Sequence, residues 1–349
     1  MGLPEVIVRF QSLAVTAIRR SSRGIVALVV ADVTRPFVSM SYSSIDEVLA
    51  TDWTAANYDF IRQAFLGAPS RVLVEKTTGP FTDALLRLRG KRFSYLAAPT
   101  ATSEQMGTIA AWIKAQRDND HKTFRAVLAN QAADHEGVIN FATGGIAVGS
   151  ATYTAAQYTP RIAGILAGMR IDRSATYLPL GEVTSITESA DPDADINAGR
   201  FILINDGSKI KVGRGINSLV TTSSTKGSDF KKIRIVETLD MIRDDISSTF
   251  TDAYVGSVVN TYDNKVLFFA AVNAYMRTLV GDNLLDPNAV NEVGVDVEAQ
   301  RNYLQSIGVD VSALGEQEIK EYNTGSKVFG FGRAKPTDAM EDLLFVVAI

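Results

Sequence analysis

The sequence contains no cysteine and only two histidines among its 349 residues. The absence of thiols excludes disulfide scaffolds, cysteine-ligated zinc or iron–sulfur centres, and cysteine nucleophiles. The scarcity of histidine leaves few candidates for catalysis that depends on an imidazole near neutral pH. Composition therefore removes several of the common enzymatic and metal-binding solutions.

An excess of charge of one sign is also missing. Lys plus Arg is 35 and Asp plus Glu is 39, so the net charge is −4, which argues against a module that binds nucleic acid through a strongly basic face. The longest apolar runs, Gly24–Asp32 and Leu343–Ile349, are far shorter than the ~20 residues that span a bilayer. The first ten residues lack the order of a signal peptide. With 46% hydrophobic residues, the chain is predicted to be a folded intracellular protein without membrane insertion.

Between residues 24 and 180, short apolar runs alternate with helical patterns. Gly24–Asp32 is typical of a buried strand, because its apolar run is continuous rather than alternating. Glu47 stands three residues after Ser44, which is the spacing of a capping box at a helix start. Similar patterns follow at Tyr58–Leu66 (helix), Arg71–Glu75 (strand), Thr82–Leu88 (helix), Arg92–Pro99 (strand), Ser103–Arg117 (helix) and Thr123–Ala129 (strand). This rhythm predicts a parallel, doubly wound α/β layer.

The pattern changes after residue 180. Asp191–Asp195 reads as a loop, and the apolar runs on either side of Asn205–Ser208 predict a hairpin, because Asp-Gly supplies the positive φ of such a turn. An amphipathic helix is indicated by the apolar stripe Ile235, Leu239, Ile242, Ile246 and Phe250. Helices at Asp263–Val280 and Val297–Ile307 and a strand at Gly325–Gly332 complete this part. The predicted fold class is therefore α/β in the N-terminal part and α+β overall.

Motifs that carry chemistry are largely absent. No phosphate-binding G-x-x-x-x-G-K-[ST] motif occurs, and the glycine-rich segments Phe141–Gly149 and Val212–Ile216 read as turns or bulges. Asp191 to Asp195 imitates the start of a calcium loop but lacks its glycine and its closing glutamate, which favours a solvated acidic loop. His135 between Asp134 and Glu136 suggests a metal or acid–base pair, yet an exposed loop histidine is favoured. We expect no catalytic, cofactor-binding or metal site.

The two ends of the chain have strand character. Glu5–Phe10 is separated from the body by Gln11–Arg23, and Leu343–Ile349 is apolar up to the last residue. An exposed apolar strand is an aggregation hazard, so both of its faces need a cover. From the residues alone, the two terminal strands either dock on the chain's own sheets or are donated to neighbouring copies.

Basic residues cluster before the amphipathic helix. Lys226, Lys231, Lys232 and Arg234 precede or open it, whereas Asp240, Asp244 and Asp245 lie along it. Basic residues at the start of a helix and acidic residues further along it are unfavourable with respect to the helix dipole. The arrangement is explained either by contacts with a partner or by a solvated helix face.

Several segments together resemble the contractile tail sheath proteins of phages and phage-like particles. The start of the chain, Gly2–Val6 with Ile18–Val26, is similar to the start of these proteins. The hairpin region Phe201–Gly207 with Val212–Leu219 resembles their central hairpin. Their C-terminal helices and closing strand are matched by Lys232–Ile246, Tyr254–Lys265 and Asp338–Phe345. The likeness is strongest over residues 1–30 and 199–349, and the chain is short for the family, like the compact sheaths of defective prophages and R-type bacteriocins.

The resemblance implies a structural subunit that forms six-fold rings stacked helically around a rigid tube and contracts to drive the tube through an envelope. The implied partners are other copies, the tail tube, the baseplate and a terminator or cap protein, with no direct nucleic-acid binding and no cofactor. The implied site of action is a virion tail or released particle assembled in the bacterial cytoplasm. The residues implied in strand donation between subunits are Val6, Ile7, Val8, Phe10, Leu343, Leu344, Phe345, Val346, Val347 and Ile349.

The same resemblance suggests a division of the chain and a tube contact. The expected parts are an N-terminal arm (1–23), an outer α/β domain (24–180), a tube-facing α+β domain (181–331) and a C-terminal arm (332–349). The segments Gln11–Arg23 and Gly332–Glu341 are expected to act as hinges. Contact with the tube is expected from Lys231, Lys232 and Arg234.

Two other functions remain open from the residues. The N-terminal α/β pattern is compatible with a Rossmann-like enzyme, although no convergent polar site is evident. A capsid or tube subunit is the other alternative. Terminal strands on long hinges suit a connected mesh better than a closed shell, which favours the sheath.

Overall fold

The computed structural model describes residues 17, 18, 20 and 23–347, which form two compact units. The α/β unit comprises residues 23–240 and 338–347, and the helical unit comprises residues 241–337 together with 17, 18 and 20. The division falls within a long helix near residue 240 and not near residue 180, where the sequence pattern changes. The predicted arm residues Val6, Ile7, Val8, Phe10 and Ile349 lie outside the described residues.

The first part of the α/β unit alternates strands and helices as predicted. Its strands are β1 (Ile25–Ala31), β2 (Ser39–Tyr42), β3 (Arg71–Thr77), β4 (Tyr95–Ala97), β5 (Arg125–Ala129), β6 (Val138–Phe141), β7 (Ile146–Val148) and β8 (Ala151–Tyr153). Its helices are α1 (Ala55–Phe65), α2 (Phe81–Leu88), α3 (Ser103–Asp118) and α4 (Ala155–Gly168). The predicted helix start at Ser44 is a short 3₁₀ turn, Ile45–Glu47, which Ser44 caps by accepting from the Asp46 N–H.

The second part of the α/β unit contains the predicted hairpin and the start of the predicted amphipathic helix. Its elements are β9 (Val183–Ser185), α5 (Pro192–Asn197), β10 (Arg200–Phe201), β11 (Leu203–Asn205), β12 (Ile210–Val212) and α6 (Ile233–Ala253), and α6 continues into the helical unit. The hairpin β11–β12 turns at Gly207, whose φ is +88°.

The loop predicted over Asp191–Asp195 is wrong, because Pro192–Asn197 is a short helix. The Asp191 side chain caps it by accepting from the Ala194 N–H at 2.9 Å, and proline takes the first helical position. Both are helix-start signals. The acidic residues therefore serve the helix start and not a calcium loop.

A seven-stranded sheet forms the centre of the α/β unit. Its strand order is β10-β6-β5-β4-β1-β3-β2, and all pairs are parallel except β2 with β3. Val26–Val30 of β1 are wholly buried, which explains why that strand is apolar without alternation. The prediction of a parallel α/β layer is confirmed.

The helical unit contains the second half of α6 and a small sheet. Its other elements are α7 (Tyr262–Gly281), β13 (Glu292–Val295), α8 (Val297–Ser306), α9 (Glu316–Glu321) and β14 (Gly330–Arg333). The helices predicted at Asp263–Val280 and Val297–Ile307 are confirmed, whereas the predicted strand Gly325–Gly332 is reduced to β14. Within the described residues, no helix is both long enough and apolar enough to cross a membrane.

Candidate assembly sites

The C-terminal segment leaves the body of the protein with its apolar side chains exposed. Leu343, Leu344, Phe345 and Val346 are 77–91% exposed, and Val347 is 69% exposed. Residues 338–347 form no strand. In the described part of the chain, the tail is therefore not docked on a sheet of its own subunit. An uncovered apolar run of this kind marks an interaction site.

The first residues of this segment, 338–342, are called the root here and are held by ion pairs inside the α/β unit. Asp338 pairs with Lys232, and Asp342 pairs with Arg214 at 2.5 Å. Glu341 also pairs with Arg214, at 3.1 Å, and its side chain is only 6% exposed. The exposed tail thus begins shortly after an enclosed carboxylate, with only Asp342 between them.

The three basic residues expected to contact the tube have different surroundings. Lys231 is half-buried, and Lys232 is engaged by Asp338 and Glu341. Arg234 is 6% exposed, and burial lowers the pKa of its guanidinium. The tube contact stays a prediction; Lys231 is less buried than Arg234 and, among the described residues, forms no ion pair.

The two-stranded sheet of the helical unit has unequal edges. The Asn273 amide on α7 donates to the Val293 carbonyl at 2.9 Å and accepts from the Val293 N–H at 2.8 Å, so it occupies the outer edge of β13. Val293 pairs with Gly332. Residues that face each other in an antiparallel pair both point their backbone groups inward or both outward. Gly332 therefore directs its N–H and C=O away from β13, along the free edge of β14.

The glycines of β14 allow close packing against neighbouring side chains. A Cβ atom at Gly330 would lie 2.7 Å from the Phe269 ring, and one at Gly332 would lie 2.4 Å from the Val293 side chain. The strand contains no proline, and its only charge is at Arg333. Natural edge strands are commonly protected by proline, charge or a covering element. Among the described residues, no further strand pairs with the outer edge of β14.

A buried ionic cluster fixes the first turns of α6 within the α/β unit. Arg117 forms a bidentate pair with Asp240 at 2.9 Å for both bonds, and Arg125 approaches the same carboxylate at 3.2 Å. The Tyr95 hydroxyl donates to Glu237, and burial raises the pKa of that glutamate. Paired and hydrogen-bonded charges of this kind hold an element in one position. The cluster has no local sequence signal, because its members are far apart in the chain.

His135 was predicted to be an exposed loop residue; it does lie in a loop, but the predicted exposure is wrong. Its side chain is 5% exposed, and Nδ1 accepts from the Gly137 N–H at 3.0 Å. The neutral ring therefore carries its proton on Nε2, which faces Asp118 at 3.3 Å and Glu136 at 3.6 Å. Burial lowers the pKa of His135.

His135 and the two carboxylates that face it are residue types that bind metals, but their protonation and ion pairing do not suit a metal ion. Ligand atoms of Asp118, His135 and Glu136 lie within 4.8 Å of one another. A metal would need the Nε2 lone pair, and that atom carries a proton when Nδ1 accepts from Gly137. Lys226 reaches Glu136 at 2.9 Å and already supplies the positive charge. The group is an ion-pair cluster.

Comparison with known proteins relates this chain to phage tails. A family model described as the phage tail sheath protein central domain matches residues 75–218, and one described as the phage tail sheath C-terminal domain matches residues 225–349. The tail sheath protein of Clostridium phage phiCD119 is 38% identical over 354 residues, which cover 98% of each chain. The phage-like element PBSX protein XkdK of Bacillus subtilis is 31% identical over 48% of this chain and 37% of its own.

Solved structures share the fold. The sheath tail protein from Desulfitobacterium hafniense superposes with a TM-score of 0.72 at 20% identity, covering 84% of this chain and 94% of that one. The helical sheath of the anti-feeding prophage in its contracted state gives 0.71 at 12% identity, covering 100% and 99%.

Proposed function

This chain belongs to the phage tail sheath protein family, and on that premise we propose that its copies stack as six-fold rings around a rigid tube and are linked by their terminal arms. Family membership favours a structural subunit over the capsid, tube and enzyme alternatives. The observation that carries the proposal is the exposed apolar tail Leu343–Val347 directly after an anchored root. A partner is needed to cover it, and another copy of the chain is the partner that a ring stack supplies at every position.

The acceptor for the donated strand is the free edge of β14. An isolated two-stranded sheet is marginally stable, and added strands stabilise it. The Asn273 amide occupies the edge of β13 at Val293, whereas no further strand of the described residues pairs with β14. Backbone hydrogen bonds give affinity in such strand addition, and alternate side chains give specificity. The predicted arm residues Val6, Ile7, Val8, Phe10 and Ile349 belong to the same proposal.

Contraction follows from the same linkage. The extended sheath is a metastable stack, and on triggering at the baseplate it passes to a shorter, wider state by rigid-body movement of its subunits. A difference of a few kcal/mol per subunit, summed over hundreds of copies, supplies the work without a nucleotide. The subunit has no catalytic role. The tail tube, the baseplate and a terminator protein are its partners, in a virion tail or a released particle assembled in the cytoplasm.

The strand donation is tested by cross-linking between engineered cysteines, because the natural chain has none. We expect the double variant Phe331→Cys, Phe345→Cys to form a ladder of covalent multimers with a short bis-maleimide, since the tail of one copy lies along β14 of the next. The readout is denaturing gel electrophoresis. The matched control is Val33→Cys, Phe345→Cys, because Val33 is exposed in the α/β unit.

The control and the single variants should stop at dimers. A ladder of equal length in the control, or none in the β14 variant under conditions where the chain pellets as polymer, would contradict donation to this edge.

A further inference from the structure

The root of the C-terminal segment contains one glutamate with a buried side chain, Glu341, although the other two acidic residues of the root are exposed. The Glu341 side chain is 6% exposed, whereas those of Asp338 and Asp342 are 42% and 85% exposed. A carboxylate is rarely buried unless its charge and lone pairs are satisfied. The surroundings of Glu341 should therefore form a pocket that supplies hydrogen-bond donors and positive charge to its carboxylate.

Both oxygens of the Glu341 carboxylate have partners of their own. The hydroxyls of Thr176 and Ser174 lie 2.6 and 3.0 Å from Oε1. Arg214 Nε donates to Oε2 at 3.1 Å, and Lys232 Nζ lies 3.5 Å from the same oxygen. Two hydroxyls on one oxygen and two cations on the other match what a carboxylate accepts.

The pocket is fixed by hydrogen bonds among the loops that build it. The Thr176 oxygen accepts from the Gly215 N–H at 2.9 Å, so its own proton is free for Glu341. The Ser174 oxygen accepts from the Thr176 N–H at 3.2 Å. Ile233, beside Lys232, donates its N–H to the Gly215 carbonyl at 3.0 Å. None of these bonds involves the bound carboxylate, so the donors are in place before it docks.

The residues before this pocket are also held. In the helical unit, the Lys335 N–H donates to Asn291 at 2.8 Å, and the Thr337 N–H donates to the Leu284 carbonyl at 3.0 Å. Much of the segment expected to act as a free hinge, Gly332–Glu341, therefore has fixed contacts. After Asp342, which pairs with Arg214, the described residues Leu343–Val347 are 69–91% exposed.

We propose that Ser174, Thr176, Arg214 and Lys232 form a carboxylate clamp that fixes the root of the C-terminal arm through Glu341. The free arm then starts at Leu343 and keeps a defined origin on the α/β unit. A short arm with a fixed origin loses less conformational entropy when it pairs with another copy. The meaning of the clamp for assembly rests on the proposed strand donation, whereas the clamp itself is a property of the single subunit.

A spin label next to Glu341 tests the clamp. Met340 is fully exposed, so a nitroxide on Met340→Cys reports the mobility of the root without filling the pocket. In dilute full-length protein we expect an immobilised spectrum. Adding Glu341→Gln should raise the mobile fraction relative to the immobile one by about tenfold, because losing charge-assisted hydrogen bonds shifts an equilibrium by roughly that factor.

Two controls make the result specific. Asp193→Asn removes an exposed carboxylate elsewhere in the α/β unit and should leave the Met340→Cys spectrum unchanged. Arg214→Lys keeps the charge but loses the forked geometry, and should raise the mobile fraction by less than Glu341→Gln does. A label at Val346→Cys should be mobile in every variant.

An equally mobile label at Met340→Cys with and without Glu341→Gln would overturn the clamp. That result leaves strand donation intact if the Phe331–Phe345 cross-link ladder still forms. An immobile Met340→Cys label together with a missing ladder would instead overturn the donation and leave the clamp.

Discussion

At the residue scale, neighbouring residues of the same charge have different environments. Lys231, Lys232 and Arg234 form one basic cluster in the sequence, but in the structure they are half-buried, paired with the C-terminal root, and buried, respectively. A cluster of like charges in the sequence predicts the sign of a surface, but it does not predict which of the charged side chains are exposed. Lys232 is paired with Asp338 and Glu341, and Arg234 is buried. Lys231 is therefore the best single probe of the proposed tube contact.

Reversing the charge of Lys231 tests that contact. We expect Lys231→Glu to weaken binding to purified tail tube by about two- to fivefold at low salt, the usual size of an exposed ion pair. The loss should shrink as salt rises, because exposed charges are screened. Co-sedimentation with tube at several salt concentrations measures it. Lys209→Glu, an equal charge change on the exposed hairpin turn, is the matched control. Equal co-sedimentation of the two variants would rule Lys231 out.

Residue environments created by distant segments were beyond sequence analysis. His135 reads as an exposed loop residue, yet Ser218, which is 83 positions away, bonds to its backbone, and Lys226 neutralises its neighbour Glu136. The same holds for Glu341, whose pocket comes from three separate loops. The acidic run at Asp191 is different: the N-cap and the proline were a local signal and predict the short helix when given full weight.

At the element scale, the hydrophobic pattern predicts a helix or strand correctly where the element buries one face or is buried completely. It identifies β1, α3, the β11–β12 hairpin and α7 to within a few residues. The stripe predicted for α6 marks a real helix, but Asp245 and Thr249 are also buried on it, and Asp245 accepts from the Tyr275 hydroxyl at 2.6 Å. Polar residues with buried partners are invisible to a pattern of apolar ones.

Helix α4 packs on the end of α1 through glycines. A Cβ atom at Gly164 would lie 2.1 Å from the Ala64 carbonyl oxygen, and one at Gly168 would lie 1.9 Å from that of Gly67. The backbones therefore approach more closely than any larger residue permits. Helix α4 was not predicted, although Thr154 and Gln157 form a capping box at its start, because Pro160 and its small residues obscure the helical pattern.

Gly164→Ala tests the close approach of α1 and α4. In an exposed helix this change stabilises by about 1 kcal/mol. Here we expect a loss of about 1–3 kcal/mol in the free energy of unfolding, because the methyl group forces the helices apart. Urea unfolding of the full chain gives the value. Gly181→Ala, where no atom lies within 4 Å of the added methyl, should change little. A gain in stability for Gly164→Ala would show that the helices do not meet as described.

At the scale of the whole molecule, the sequence predicts the architecture better than the division into units. The parallel layer and the later helices are as expected. The boundary lies inside α6, because β10 joins the large sheet and the Glu237 and Asp240 side chains hold the start of α6 to the α/β unit. These are long-range contacts, and a change of local pattern at residue 180 does not reveal them.

Composition takes on a different meaning at this scale. The absence of cysteine first excludes chemistry, but it also removes thiols that would cross-link neighbouring copies during sliding. The balanced charge leaves pairs of both signs for contacts between identical subunits. The exposed apolar tail is explained neither by the charge balance nor by burial within the described chain, and in the proposed assembly another copy covers it.

Negative-stain electron microscopy of the purified chain, with and without residues 343–349, tests the central claim most directly. We predict hollow cylinders with six-fold end views for the full chain. The chain ending at Asp342, which keeps Glu341 and its pocket, should remain as separate subunits because no strand reaches β14 of a neighbour. A full-length protein that stays monomeric, or a truncated one that forms the same cylinders, would contradict the account.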